Sequence, residues 1–214
     1  MNAKIFCFFA IIISAFFLAS CNPSYEADAR FIVSAIGADN DKGSLKITVQ
    51  VITVGEGSFD EEPGVTLIYS SAKNAEEAVK KLGAKCIKPL NFDHCAVLVC
   101  SKNLTCGQFE DVRDFCLKRK DINLAVNVCS AGNAYELLSA EKSAGVSSGY
   151  DIAVMINSKI RENKGDFHCK FYEIADKSDF SLPFFALSDK KIYLRGQYGL
   201  ILKGTEDYYE MQKS

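Results

Sequence analysis

The apolar and polar positions of this chain alternate in short, β-branched segments that give way repeatedly to stretches of helical period. FIVSAIG (31–37) and LKITVQVITV (45–54) have the composition of strands, and the turn-rich ADNDKG between them makes a hairpin. In the second segment Lys46, Thr48 and Gln50 alternate with Leu45, Ile47, Val49 and Val51, which predicts a strand with one wet face. GEGSFDEEPG (55–64) is an acidic loop with glycine and proline, expected to be exposed and mobile, and VTLIYSS (65–71) resumes as strand.

Helical period follows. Asn74 with Glu77 has the spacing of a helix start, and Ala75, Ala78, Val79 and Leu82 share one face of a helix over 75–85. HCAVLVCS (94–101) is apolar on both faces and predicts a central, doubly covered strand. Thr105 with Gln108 repeats the start signal for a helix carrying Phe109, Val112 and Cys116 and ending near Arg119. LAVNVCS (124–130) is a further strand, and Asn133 with Glu136 opens the short helix AYELLSA. The order β-β-β-α-β-α-β-α predicts an α/β (mixed α+β) domain, a mixed β-sheet flanked by helices, over residues 31–145.

EKSAGVSSG (141–149) is rich in small residues and is expected to act as a hinge to a smaller α+β subdomain, 146–214. Ile152, Met155, Ile156 and Ile160 recur at helical spacing, and Phe167, Phe171 and Ile174 suggest a second helix. SLPFFAL, KKIYLRG and QYGLILKG are expected as three short strands, and TEDYYEMQKS as a helix that starts and stops.

The opening segment differs from all of these. After MNAK comes IFCFFAIIISAFFL, in which Ser14 alone is polar. A helix of that length covers about 21 Å, short of the ~30 Å hydrocarbon core, so a stable span is not expected. A basic start, a short apolar core and small residues at its end describe a secretory signal peptide over residues 1–20. Leu18-Ala19-Ser20-Cys21 resembles the lipobox of bacterial lipoproteins, in which the cysteine sulfur receives a diacylglycerol and the preceding peptide bond is then cut. Small Ala19 and Ser20 leave room at that bond, and a thiolate is the strong nucleophile the transfer needs. Cys21 is therefore the expected lipidation site, with residues 21–30 as lipidated N-terminus and tether.

Composition narrows the remaining chemistry. The chain has 25 Lys and Arg against 27 Asp and Glu, which excludes the basic face of a nucleic-acid binder and offers no polybasic run for a membrane. Export permits disulfides, yet Cys86, Cys95, Cys100, Cys106, Cys116, Cys129 and Cys169 are odd in number, and most lie in apolar runs, where cysteine acts as a small hydrophobe. The absence of any C-x-x-C leaves neither a redox motif nor a zinc ribbon in view.

Candidate active-site motifs fail on context. Gly145-Val146-Ser147-Ser148-Gly149 matches G-x-S-x-G, but that elbow needs a strand before the serine and a histidine after it. Here a polar loop precedes it, His168 alone follows, and Ser148 with Asp151 fits a helix cap. His94-Cys95 and His168-Cys169 invite a metal or Cys-His reading, but adjacent residues on a strand point to opposite faces, so His94 and Cys95 do not suit one ion, and a metal would have to gather distant partners. DNDKG and FDEEPG lack the alternating ligand spacing of a calcium loop, and GEG is too short for a phosphate cradle. The bases Lys80-Lys81 and Lys118-Arg119-Lys120 fit solvated helix flanks. No catalytic, cofactor or metal residue is expected.

Taken together, the lipobox, the tether and RFIVSAIGADNDKGSLKITVQV resemble the C subunit of spore germinant receptors, the Ger(x)C lipoprotein family. Gly37 and Asp39 stand at that family's Gly-x-Asp, His94 at its histidine before a buried strand, Arg119 near its arginine, and Gly132 before its helix. SSAKNAEEAVKKL and LPFFALSDKKIYLRGQYGLILKG resemble further segments of it. Where the family commonly has Trp-Asp-Arg after the lipid cysteine, this chain has Asn22-Pro23-Ser24, and it stops where the family's large C-terminal domain would begin. The resemblance implies a non-enzymatic lipoprotein on the outer face of the inner spore membrane, working with A-type and B-type membrane subunits. The alternative is an envelope lipoprotein that binds a small ligand on its own, with a polar, closable cleft at 141–149. An enzyme using Ser147 or His168 comes third.

Overall fold

The computed structural model describes residues 30–53, 64–143, 145–162, 169–201 and 208–210. Nine strands in these residues form one mixed sheet of order β3-β2-β1-β5-β6-β7-β8-β9, with β4 paired to β1 off that path. They are β1 (Phe31–Asp41), β2 (Ser44–Thr53), β3 (Gly64–Ala72), β4 (Leu90–Asn91), β5 (Val97–Ser101), β6 (Asn127–Ala131), β7 (Asp179–Ser188), β8 (Lys191–Ile201) and β9 (Tyr208–Glu210). The helices are α1 (Ala75–Lys85), α2 (Cys106–Lys118), α3 (Ala134–Leu138), α4 (Ser148–Glu162) and α5 (Phe171–Ile174). The mixed α/β class expected from the alternation is the class observed.

β1, β5, β6 and β7 run parallel through the middle, and antiparallel strands flank them on both sides. Parallel strands need cover on both faces, and they have it. On one face α1, α2 and α5 pack Leu82, Phe109, Val112 and Phe171 against Ile36, Leu45, Val49, Leu98 and Val128. On the other, α3 and α4 pack Leu137, Leu138, Ile152 and Ile156 against Ala35, Val97, Val99 and Cys129. Local signals set the helix starts. The side chains of Asn74, Thr105 and Asn133 accept from the backbone of Glu77, Gln108 and Glu136, as the three-residue spacings predict.

The hairpin between β1 and β2 turns on Lys42 and Gly43, both at positive φ (51° and 91°), a two-residue turn whose twist matches that of the strands. A bulge between Val33 and Ala35 leaves Ser34 without a partner across the ladder, so Val33 and Ile36 fall on the same face.

Several expectations are corrected. The polar face of β2 is dry: Thr48 and Gln50 are 0% and 1% exposed because α3 and α4 lie over them. Thr48 Oγ1 is the one buried side-chain polar atom without a partner among the described residues. The segment from 146 onward does not stand apart. β7 pairs with β6, α4 covers β1 and β5, and Phe31–Ser214 forms one compact unit. Lys191–Gly196 and Gln197–Ile201, expected in two strands, form a single strand, β8, in which Gly196 takes φ +133° opposite the register shift at Phe184 and Phe185. Tyr208–Glu210, expected in a helix, is strand β9, paired with Gly199–Ile201. The two strands expected to begin at 94 and 124 begin later, at Val97 and Asn127, and of the helix expected around 167–174 only Phe171–Ile174 is seen. The signal segment, Cys21, the acidic loop 55–64 apart from Gly64, Phe167 and His168 lie outside the described residues, and Gly64 opens β3.

Candidate functional site

The residues of the Gly-x-Asp motif build the seat of α3. A side chain on Gly37 would meet Leu138 Cδ1 at 3.1 Å and Ala134 Cβ at 3.2 Å, so glycine is what lets α3 lie directly on β1. Asp39, buried at 6% exposure, accepts from Ala134 N (2.7 Å) and Tyr135 N (3.0 Å) at the start of that helix. Those donors have no partner inside the helix, and a carboxylate there also meets the positive end of the helix dipole. Asp39→Ala is expected to lower stability by about 2–3 kcal/mol, since it leaves two inward-facing N–H groups unbonded. Chemical unfolding monitored by circular dichroism measures this, and a loss below about 1 kcal/mol would contradict the capping role.

GVSSG forms a lock. Ser147 and Ser148 are 1% and 2% exposed. Ser148 Oγ donates to Leu138 O (2.6 Å) and accepts from Gln50 Nε2 (2.7 Å), so its proton and one lone pair are engaged. Gln50 Nε2 also reaches Leu138 O (3.0 Å), while Gln50 Oε1 accepts from Gly149 N (3.0 Å) and lies 3.0 Å from Ser34 Oγ. Ser147, not Ser148, accepts at the start of α4, from Tyr150 N (3.4 Å). Asp151 does not complete a cap with Ser148; its carboxylate holds Ser143 N and Gly145 N, each at 2.7 Å. The segment expected to hinge is thus tied to α4 at Ser143 and at Gly145. A cavity of about 490 Å³ lies beside this lock, between Leu67 of β3 and Ser139–Ala140, and the buried serines turn their hydroxyls into the network.

His94 is exposed and Cys95 buried, so the two do point apart, but from a turn before β5 rather than from a strand. Tyr150 Oη donates to His94 O (3.4 Å), beside a cavity of about 390 Å³ that Asn123, Asn127 and Asn157 also line. Lys170 Nζ donates to Asn127 Oδ1 (2.7 Å) and Asn157 Oδ1 (3.3 Å). Among the described residues no three His, Cys, Asp or Glu side chains converge as a metal site would require.

Cys95, Cys100, Cys116, Cys129 and Cys169 are buried without disulfides, and Cys86 and Cys106 are half-buried. Burial pushes the thiols of Cys95 and Cys116 up to about 12 and that of Cys169 to about 11, with Cys100 and Cys129 raised in the same way. At neutral pH these groups are thiols, and they pack as apolar side chains without nucleophilic character.

The remaining feature lies where α1 and α2 end. Arg119 follows α2, with its guanidinium 4.5 Å from the Phe92 ring and 5.5 Å from that of Phe115, and it is paired with Asp121. It forms one wall of an open groove of about 650 Å³, whose other walls include Val79, Lys80, Cys86, Ile87 and Leu90. Lys80 and Arg119, expected on separate solvated helix flanks, both line this groove. Ile87, in the loop between α1 and β4, is 90% exposed.

A family model described as the spore germination protein N-terminal domain matches residues 24–187. The chain belongs to that family. No curated protein and no solved structure matches it. No helix among the described residues is long and apolar enough to cross a membrane.

Proposed function

We propose that this protein is a lipid-anchored, non-catalytic subunit of a nutrient germinant receptor. Cys21 carries the diacylglycerol, the folded part stands on the outer face of the inner spore membrane, and the partners are A-type and B-type membrane subunits. The observation that carries the reading is the family match, which begins three residues after Cys21, directly beyond a lipobox-like Leu18-Ala19-Ser20. The non-catalytic role is supported by the engagement of Ser147 and Ser148 in the lock around Gln50 and by the high pKa of the buried thiols.

In this role the lipid confines the domain to the plane of its partners and raises its effective concentration there. Two acyl chains on one terminus hold it stably, where a single chain holds only marginally. Detergent extraction of spore membranes followed by affinity capture of this protein is expected to bring down polytopic A-type and B-type subunits. Recovery of the protein alone, under conditions that keep other membrane complexes together, would overturn the receptor role.

A further inference from the structure

We propose that the loop around Ile87, together with the basic rim of the groove beside it, rests on an anionic lipid surface as a second membrane contact. The proposal builds on the lipid anchor at Cys21 and adds an orientation to it: the sheet stands with the starts of its parallel strands toward the bilayer.

Three observations converge on this end of the molecule. Chain connection is the first. The tether over residues 21–30 joins the fold at Phe31, whose N–H donates to Pro89 O at 2.9 Å and which pairs with Leu90 in β4. Ile87 is two residues from that bond, so the loop lies where the anchor enters. Ten extended residues span at most about 36 Å, which keeps this end of the sheet near the headgroups.

Side-chain chemistry is the second. A single exposed isoleucine is ordinary, but Ile87 at 90% exposure is the most exposed large apolar side chain among the described residues, and Leu117 on the last turn of α2 is 47% exposed. Charge is the third. Lys80, Lys88 and Arg119 line this groove together with Glu76, and Lys118 and Lys120 flank Arg119 in the chain; of the acids at this helix end, Asp121 pairs with Arg119 and Asp114 with Arg113. Lys85 is turned to the sheet edge, donating to Tyr69 O (2.9 Å), and Lys81 pairs with Glu77. A chain with net charge −2 thus presents a basic patch at the end where its tether is attached. An apolar tip ringed by lysine and arginine, beside a lipid anchor, has the chemistry of an anionic bilayer contact.

The chain contains no tryptophan, which provides the test. The full lipidated protein carrying Ile87→Trp is reconstituted into vesicles of phosphatidylcholine, with and without phosphatidylglycerol, some of the lipid bearing brominated acyl chains. In phosphatidylglycerol vesicles the emission is expected to shift to the blue and to be quenched by bromine. Leu187→Trp, near the opposite end of parallel strand β7, is expected to stay solvent-like, and Lys80→Glu with Lys118→Glu in the Ile87→Trp protein is expected to remove most of the quenching. Vesicle flotation is read in parallel.

Ile87→Trp protein that floats with unshifted, unquenched indole emission overturns the second contact and leaves the anchor standing. Equal quenching in neutral vesicles overturns the role of charge. Emission from the Ile87→Trp protein that is unchanged by lipid but shifts when the membrane subunits are added assigns the surface to a protein partner and overturns the proposal. Failure to float overturns the anchor, and this inference with it.

Discussion

Gly149→Ala is expected to lower the unfolding free energy by about 3–5 kcal/mol, because one methyl group there clashes with both strand β1 and the amide of Gln50. An added Cβ would lie 2.6 Å from Ala35 Cβ, 2.8 Å from Gln50 Oε1 and 3.4 Å from Ser34 O. Ala35 and Ser34 belong to the bulged central strand, and Ser34 O already accepts from Ala96 N (2.9 Å), so β1 cannot give way cheaply. If α4 retreats instead, Gly149 N leaves Gln50 Oε1, and the amide of Gln50 loses its place between Leu138 O and Ser148 Oγ. A fully satisfied buried polar network holds the fold, and a partly satisfied one costs more than an apolar core would. The same substitution at Gly83, in α1, meets nothing within 4 Å and is expected to raise stability by about 0.5–1 kcal/mol, since alanine narrows the unfolded ensemble. Urea unfolding of the two variants, with unchanged slope, measures both. Equal effects of the two substitutions would show that contact with β1 is not what Gly149 provides.

The part of this structure that was legible in the sequence is the part written locally. Asn74 with Glu77, Thr105 with Gln108 and Asn133 with Glu136 each lie within one helical turn, and each gives the cap bond expected of it. Apolar runs such as AVLVC had to be covered on both faces, and they are. What was misread depends on partners distant in the chain. The alternation in β2 shows that Thr48 and Gln50 share a face, but not that α3 and α4 will cover it; only the arrival of Leu138 and Ser148, 88 and 98 residues later, makes glutamine a core residue. Asp39 looked like part of a turn or an acidic cluster, yet its role is to cap a helix 95 residues further on. Lys80 and Arg119 each looked solvated because periodicity places a residue on a face without saying what faces it, and the groove exists only where two helix ends meet. A three-residue strand such as Tyr208–Glu210 is too short to show a period, so its pairing with β8 decided its state.

Cys21→Ala is expected to abolish incorporation of lipid and to leave residues 1–20 attached. The two effects follow from one chemistry: transfer of the diacylglycerol needs the sulfur as nucleophile, and the cut before residue 21 comes after that transfer. An alanine has no atom that can form the thioether, while Leu18, Ala19 and Ser20 stay in place, so the variant isolates the role of the sulfur from that of the apolar segment. Growth with a radiolabelled fatty acid is expected to label the unaltered protein and not the variant, and intact mass is expected to show the variant heavier in polypeptide by the leader and lighter by the lipid. Fold stability is expected to be unchanged, because the compact unit starts at Phe31 and the cysteines packed in its core, Cys95, Cys100, Cys116, Cys129 and Cys169, are untouched. That separation gives the experiment its force: a variant that folds, stays unlabelled and no longer brings down the membrane subunits would tie their capture to the lipid. A variant that is still labelled, or still cut before residue 21, would move the attachment elsewhere and remove the basis for placing the tether, and with it Phe31 and Ile87, beside the membrane.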